Sequence, residues 1–149
     1  MTSASPCILL VDDNDMDVEL AVAAFEEVES PCRVEVANGG RMALDYLFGV
    51  GCYADRQARP LPDIVLLDLK MPGVDGFEVL RRVKAAPPLC RIPVIVLTSS
   101  KEEGDRATAY DVGANSYLLK PVSFSGFLDV IRKVEAYWIE LNLPPPLPS

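Results

Sequence analysis

The 149-residue chain contains no histidine. That absence removes Ser-His and Cys-His nucleophilic catalysis. Cysteine is limited to Cys7, Cys32, Cys52 and Cys90, with no C-x-x-C pair, so the usual makings of a zinc site are missing too. The four thiols read as reduced and mostly packed, as free cysteines commonly are. Basic charge is scarce: 14 Lys and Arg face 22 Asp and Glu, a net charge of −8. A chain of that sign does not attract a phosphate backbone, and no direct nucleic-acid partner is expected. No apolar run approaches the ~20 residues that span a bilayer. The opening MTSASP has neither the basic region nor the apolar stretch of a secretory signal. No membrane association is expected, and a cytoplasmic location is the default. The chemistry that remains is that of carboxylates, hydroxyls and lysine.

What is present is the balance of a globular protein, 50% apolar and 24% charged, in a length that suits one domain. Three short apolar runs, CILLV from Cys7, DIVLLD from Asp63 and VIVLT from Val94, are too uniform for half-wet strands and read as central parallel ones. VEVA from Val34 and SYLLK from Ser116 supply a fourth and a fifth strand, the last nearer an edge. Between them lie helical faces: Val18, Ala21, Val22, Phe25 and Val28, then Met42, Ala43, Tyr46 and Leu47 up to Gly49 and Gly51. Phe77, Leu80 and Val83 begin a third helix that must stop before Pro87 and Pro88. A fourth lies between Glu102 and Asp111, closed by Gly113, and a fifth carries Phe124, Phe127, Leu128, Ile131, Val134 and Trp138. Strand and helix alternate five times, which specifies a doubly wound α/β sheet with helices on both faces. Residues 49–62, GVGCYADRQARPLP, form a long connection whose tyrosine and arginines suit either a partner-docking loop or a plain surface insertion.

In an open parallel sheet, ligands bind beyond the carboxyl ends of the strands. Asp12 and Asp13 end the first strand, Asp68 the third, Thr98 the fourth and Lys120 the fifth. Singly, each has a plain role: Asp13 as a helix cap, Thr98 as a strand end, Lys120 as a solvated charge. Gathered at one rim, three carboxylates within about 4 Å repel by ~1–4 kcal/mol per pair and need a cation. Few oxygen ligands with room for water and phosphate match Mg²⁺. Asp68, which closes an apolar strand in PDIVLLDLKMPGVDGFEVL, is then placed as a nucleophile for phosphoryl transfer, with Lys120 and Thr98 neutralising and hydrogen-bonding the transferred group.

The order DD, D-x-K-M-P-G-x-D-G, VLTSS and GANSYLLKP resembles the receiver domain of two-component response regulators over nearly the whole chain. The resemblance implies a flavodoxin-like five-stranded parallel sheet of order 2-1-3-4-5. It also implies that Asp68 accepts a phosphoryl group from a sensor histidine kinase, with Mg²⁺ held by Asp13, Asp68 and the backbone carbonyl of Lys70. By the same resemblance Asp12 acts through a water, Thr98 and Lys120 grip the phosphoryl oxygens, and Tyr117 is the aromatic that turns inward on activation. The Lys120-Pro121 bond is expected to be cis. Lys70 departs from the Asn or Met more usual at that position. More narrowly, residues 51–63, GCYADRQARPLPD, and the ending VEAYWIELNLPP look like the single-domain receivers that partner phytochrome-type kinases.

The expected organisation is a receiver domain over residues 1–143 with an extended last helix, followed by a proline-rich tail, 144–149, too short for an output domain. Such a protein is a phosphoacceptor that catalyses only its own phosphorylation and dephosphorylation. Two alternatives stand beside it. A haloacid-dehalogenase-like phosphatase also uses a strand-end Asp and Mg²⁺, but wants an Asp where Lys70 stands. The other alternative is a receiver-like binding module that is never phosphorylated. Tyr137, Trp138, Ile139, Leu141 and Leu143 crowd the end of the last helix and point to a homodimer through that helix and the last strand; the competing expectation is a tail folded back on its own domain.

Overall fold

The computed structural model describes residues 5–148; residues 1–4, at the start of the expected domain, and Ser149, the last residue of the expected tail, lie outside the described residues. Strands β1 Cys7–Val11, β2 Arg33–Ala37, β3 Ile64–Leu67, β4 Val94–Thr98 and β5 Ser116–Leu119 form one sheet in the order β2-β1-β3-β4-β5. All four pairings are parallel. Helices α1 Asp15–Glu27, α2 Gly40–Phe48, α3 Gly76–Lys84, α4 Glu103–Val112 and α5 Phe124–Val134 provide the crossovers. The apolar runs serve two cores at once. Leu9, Val11, Val65, Leu67, Val94 and Val96 face α2, α3 and α4, whereas Ile8, Leu10, Ile64, Leu66, Ile95 and Leu97 face α1 and α5. A strand covered on both faces has no wet side to alternate toward.

Helix starts are set by short polar side chains. Asn14 accepts the Asp17 N–H, Asp75 the Glu78 N–H and Ser123 Oγ the Gly126 N–H, each satisfying an orphan donor of a first turn. α2 ends at Gly49 in the left-handed conformation. Its last carbonyls are then met by Arg56, whose guanidinium donates to the Tyr46 and Leu47 oxygens at 2.8 Å each. Arg59 bonds Glu35 at 3.1 Å, and Tyr53 packs on Tyr46 with ring centroids 5.1 Å apart. The long connection therefore spends its arginines and its tyrosine within the domain rather than holding them out for a partner. At the far end of the sheet, the Lys84 ammonium bonds the Cys90 and Ile92 carbonyls and Asn115 Oδ1, stitching α3 to the edges of β4 and β5.

Two expectations are corrected here. The cis peptide among the described residues is Pro87-Pro88, not Lys120-Pro121; the latter takes the trans form, the lower-energy state of an X-Pro bond. The thiols are not mostly packed alike: Cys7 is buried, Cys32 and Cys90 are half-buried, and Cys52 is exposed in the long connection, where no core reaches it. The last helix does run past α5, as a π-helical segment Glu135–Leu141. Trp138 and Ile139 pack against the α1/α5 core, and buried Glu135 receives the Ser30 hydroxyl from the turn after α1. The tail beyond it folds back: Leu147 joins the opposite core and Arg91 donates to the Pro146 carbonyl at 3.1 Å. No helix among the described residues is long and apolar enough to cross a membrane.

A Cβ at Gly76 would stand 2.1 Å from the Asp68 carbonyl oxygen, whereas one at Gly104, in the first turn of α4, meets nothing within 4 Å. Urea unfolding should show Gly76→Ala destabilised by about 1–3 kcal/mol or more, and Gly104→Ala unchanged or stabilised by up to about 1 kcal/mol. Burial pushes the Cys7 thiol up and the Cys32 thiol to about 11. Iodoacetamide at neutral to mildly alkaline pH should therefore label Cys52 first, with Cys7 and Cys32 reacting only on unfolding; mass mapping of the adducts checks the order.

Candidate functional site

The parallel ladder runs one residue past three of the strands. The Asp12 N–H bonds the Ala37 carbonyl at 3.1 Å, Asp68 the Val11 carbonyl at 3.0 Å and Lys120 the Thr98 carbonyl at 2.8 Å. This extension brings the three side chains to one level at the carboxyl rim, beside the point where the strand order reverses between β1 and β3. The chain then leaves the rim by tight turns. After β3, Gly73 adopts φ 72°, a region that favours glycine, and Gly76 lets α3 start directly against the Asp68 carbonyl.

Asp12, Asp68 and Thr98 are buried, while Asp13 is exposed at the mouth. Each buried carboxylate is half satisfied by backbone: Asp12 Oδ1 accepts the Asn14 N–H at 2.9 Å and Asp68 Oδ1 the Leu69 N–H at 2.8 Å. Their other oxygens turn to Lys120, whose Nζ lies 2.8 Å from Asp12, 2.8 Å from Asp17 and 2.9 Å from Asp68. Burial alone would pull the Lys120 ammonium below its ordinary pKa. The three carboxylate bonds outweigh that and raise it, so it is charged throughout the physiological range. Asp12 moves up, because the cost of burying its charge exceeds the help from Lys120 and the Asn14 N–H.

Carboxylate oxygens of Asp12, Asp13 and Asp68 lie within 4.8 Å of one another. Together with Asp17 they set four acids against one ammonium, and the surplus negative charge calls for a cation. An oxygen-only donor set open to solvent suits Mg²⁺ in its usual habit, holding water on several positions. The cleft has a volume of about 520 Å³ and is bordered also by Met16, Lys70 and Ser99. A larger, mainly apolar cavity of about 650 Å³ lies at the opposite end of the sheet between Cys7, Leu47, Pro88 and Leu147, and none of the strand-end acids reaches it.

Thr98, with no exposed surface, accepts the Ser100 N–H on Oγ1 at 3.3 Å. Tyr117 is half-buried and donates its hydroxyl to the Ser100 carbonyl at 3.1 Å. Thr98 and Tyr117 thus meet through one loop residue. The Lys70 side chain turns away from the cleft floor to Asp105 on α4, 3.1 Å distant. A phosphatase needs an acid at that position, and an ammonium paired with Asp105 does not supply one. Of the rim residues expected from the sequence, Asp12, Asp13, Asp68 and Lys120 are brought together, and Thr98 is tied to Lys120 through the backbone; Asp17, Ser100 and Asp105 were missed. Asp17 had a signal, because Asn14 rather than Asp13 caps α1 and so turns the third residue of the helix toward the rim. Ser100 and Asp105 had none, since their roles depend on how α4 docks.

The description "Response regulator receiver domain" matches residues 8–132. The probable methanogenesis regulatory protein FilR2 of Methanothrix harundinacea is 41% identical over 138 residues, covering 93% of this chain and 86% of its own. The crystal structure of the phosphorylated cyanobacterial phytochrome response regulator RcpA superposes with a TM-score of 0.88 at 36% identity, over 96% of this chain and all of that one. The bacteriophytochrome response regulator AtBRR is 44% identical, with a TM-score of 0.74 over 95% of this chain and all of its own. With sheet order, rim acids and both helical faces inside the matched span, this chain belongs to the response regulator receiver domain family.

Proposed function

We propose that the protein is a phosphoacceptor switch in which Asp68 takes a phosphoryl group from the phosphohistidine of a sensor histidine kinase. The carrying observation is Asp68 Oδ2 held 2.9 Å from the Lys120 ammonium in a cleft that also gathers Asp12 and Asp13. An Asp68 oxygen attacks phosphorus in line. The O–P bond forms as the P–N bond breaks, and the electron pair stays on the imidazole nitrogen, which takes a proton from water. Lys120 pairs with the transferring oxygens and the Thr98 hydroxyl donates to one of them. Asp13, Asp68 and the Lys70 backbone carbonyl would hold Mg²⁺, with Asp12 acting through a water. When bound, Mg²⁺ neutralises charge on the phosphoryl oxygens.

Phosphorylation adds about −1.5 to −2 charges beside Lys120 and redistributes an ammonium now shared among Asp12, Asp17 and Asp68. Tyr117 is the aromatic that then turns inward from its Ser100 partner, carrying the change to β5 and α4. The protein acts on no substrate besides its own Asp68. Residues 1–143 are its receiver unit and 144–149 its tail. A phytochrome-type kinase is the proposed donor, on the strength of the likeness to RcpA and AtBRR along nearly their whole length. The setting is cytoplasmic, and the net charge of −8 makes a protein rather than a nucleic acid the target.

The proposal extends to a homodimer through α5 and β5. Leu119, Val122 and Phe124 are exposed where β5 passes into α5, as are Tyr137, Leu141 and Leu143 beyond it. An isologous pairing would cover them on both subunits.

Intact-mass measurement after incubation with a small phosphodonor and Mg²⁺ should show one added phosphoryl group on the parent and none on Asp68→Asn or after chelation of the metal. Stable labelling of the variant would remove the assignment. For assembly, sedimentation at micromolar concentration should show a dimer for the parent and a monomer for Val122→Glu. A monomeric parent, with and without a phosphoryl mimic, would leave these apolar side chains merely exposed.

A further inference from the structure

Beyond the rim, one small network joins two loops and the first turn of α4, which the proposed chemistry treats separately. Asp105 Oδ2 receives the Ser100 hydroxyl at 2.7 Å and stands 3.1 Å from Lys70 Nζ. Ser100 is also bound through its backbone, donating its N–H to Thr98 Oγ1 and accepting the Tyr117 hydroxyl on its carbonyl. A single carboxylate oxygen on the first turn of α4 thereby ties the loop after β3 to the loop after β4. The Lys70 side chain is 57% exposed and borders the same cleft as Asp68 and Lys120. Among the described residues, Asp105 and the Phe77 ring, 5.8 Å from its ammonium, are what restrain it. It therefore stands beside the acceptor while being paired elsewhere.

We infer that Asp105 is a positioning residue for the phosphoryl switch: it holds Lys70 off the acceptor in the unmodified protein and gives it up when a phosphoryl group forms on Asp68. The inference rests on the assignment of Asp68 as acceptor. A phosphoryl group of about −1.5 to −2 charges offers Lys70 a stronger counter-ion than the single charge of Asp105. Once Lys70 crosses to it, Asp105 keeps only the Ser100 hydroxyl, and the loop that carries Ser100 is released from the loop after β3. The Tyr117 hydroxyl, bound to that same residue, loses its fixed partner. Lys70 thus competes with itself between two anions, and the unmodified state is stabilised by the pair that the modified state must break.

The test is a double-mutant cycle with beryllofluoride and Mg²⁺ as the phosphoryl mimic, dissociation constants being read by calorimetry on the parent, D105N, K70M and the double variant. Asparagine keeps the shape and the Ser100 bond while removing the charge. D105N should bind the mimic about two- to fivefold tighter, the range expected for releasing a partly exposed ion pair. K70M should bind it more weakly, and in the K70M background D105N should have no further effect. The thermal unfolding midpoint of D105N should fall by no more than about 1–4 °C, the loss of one partly exposed ion pair, and a merely structural role for Asp105 would give that loss without tighter binding. An unchanged affinity in D105N, or the same gain with and without Lys70, overturns the inference. A parent that does not take up the mimic at all overturns the acceptor assignment, and this inference with it.

Discussion

Everything at the working end of the molecule depends on the ammonium of Lys120 lying among Asp12, Asp17 and Asp68. A buried lysine left unpaired would surrender its proton, and two buried carboxylates left unpaired would repel across the β1–β3 boundary. Each makes the other tolerable, and both are held by backbone hydrogen bonds that continue the sheet one residue past its strands. The cluster remains short of positive charge even so, because Asp13 stands at the mouth with no cation of its own among the described residues. That residual demand is what fits the site for a divalent ion and, after it, for a phosphoryl group.

The two ends of the sheet use lysine differently. Lys84 sits at the amino end, bonded to neutral oxygens of Cys90, Ile92 and Asn115, and burial draws its pKa down. It faces no carboxylate in those bonds, so it closes an edge and performs no exchange. Lys120 and Lys70 at the carboxyl end are paired with acids, and an ion pair can be traded for a better one. The difference in partner chemistry, rather than in residue type, separates a structural stitch from a responsive site.

The tail shows how local pattern and tertiary context compete. The crowding of aromatics after Val134 reads as surplus apolar surface, yet Trp138 and Ile139 find cover on α1 and α5, and Leu147 reaches the opposite core. What stays bare is a smaller set that includes Leu141 and Leu143 at 72% and 91% exposure. The surplus is real but is divided between folding back and remaining available.

Much was determined by the sequence alone: three uniformly apolar runs are strands covered on both faces, five alternations wind a parallel sheet, and residues just past strand ends in such a sheet must converge at one rim. Those inferences rest on periodicity and topology, which are properties of short stretches. What only the tertiary structure decided is which neighbours meet across distance. Asp17 meets Lys120 because the end of β5 comes to lie beside the first turn of α1, 2.8 Å between them. Arg56 closes α2 because the long connection folds against it. Asp105 reaches Lys70 and Ser100 because α4 docks beside the loop after β3. Each is a contact between segments whose own sequences are indifferent to it. Packing of whole helices, summed over both cores, sets distances that no local pattern encodes.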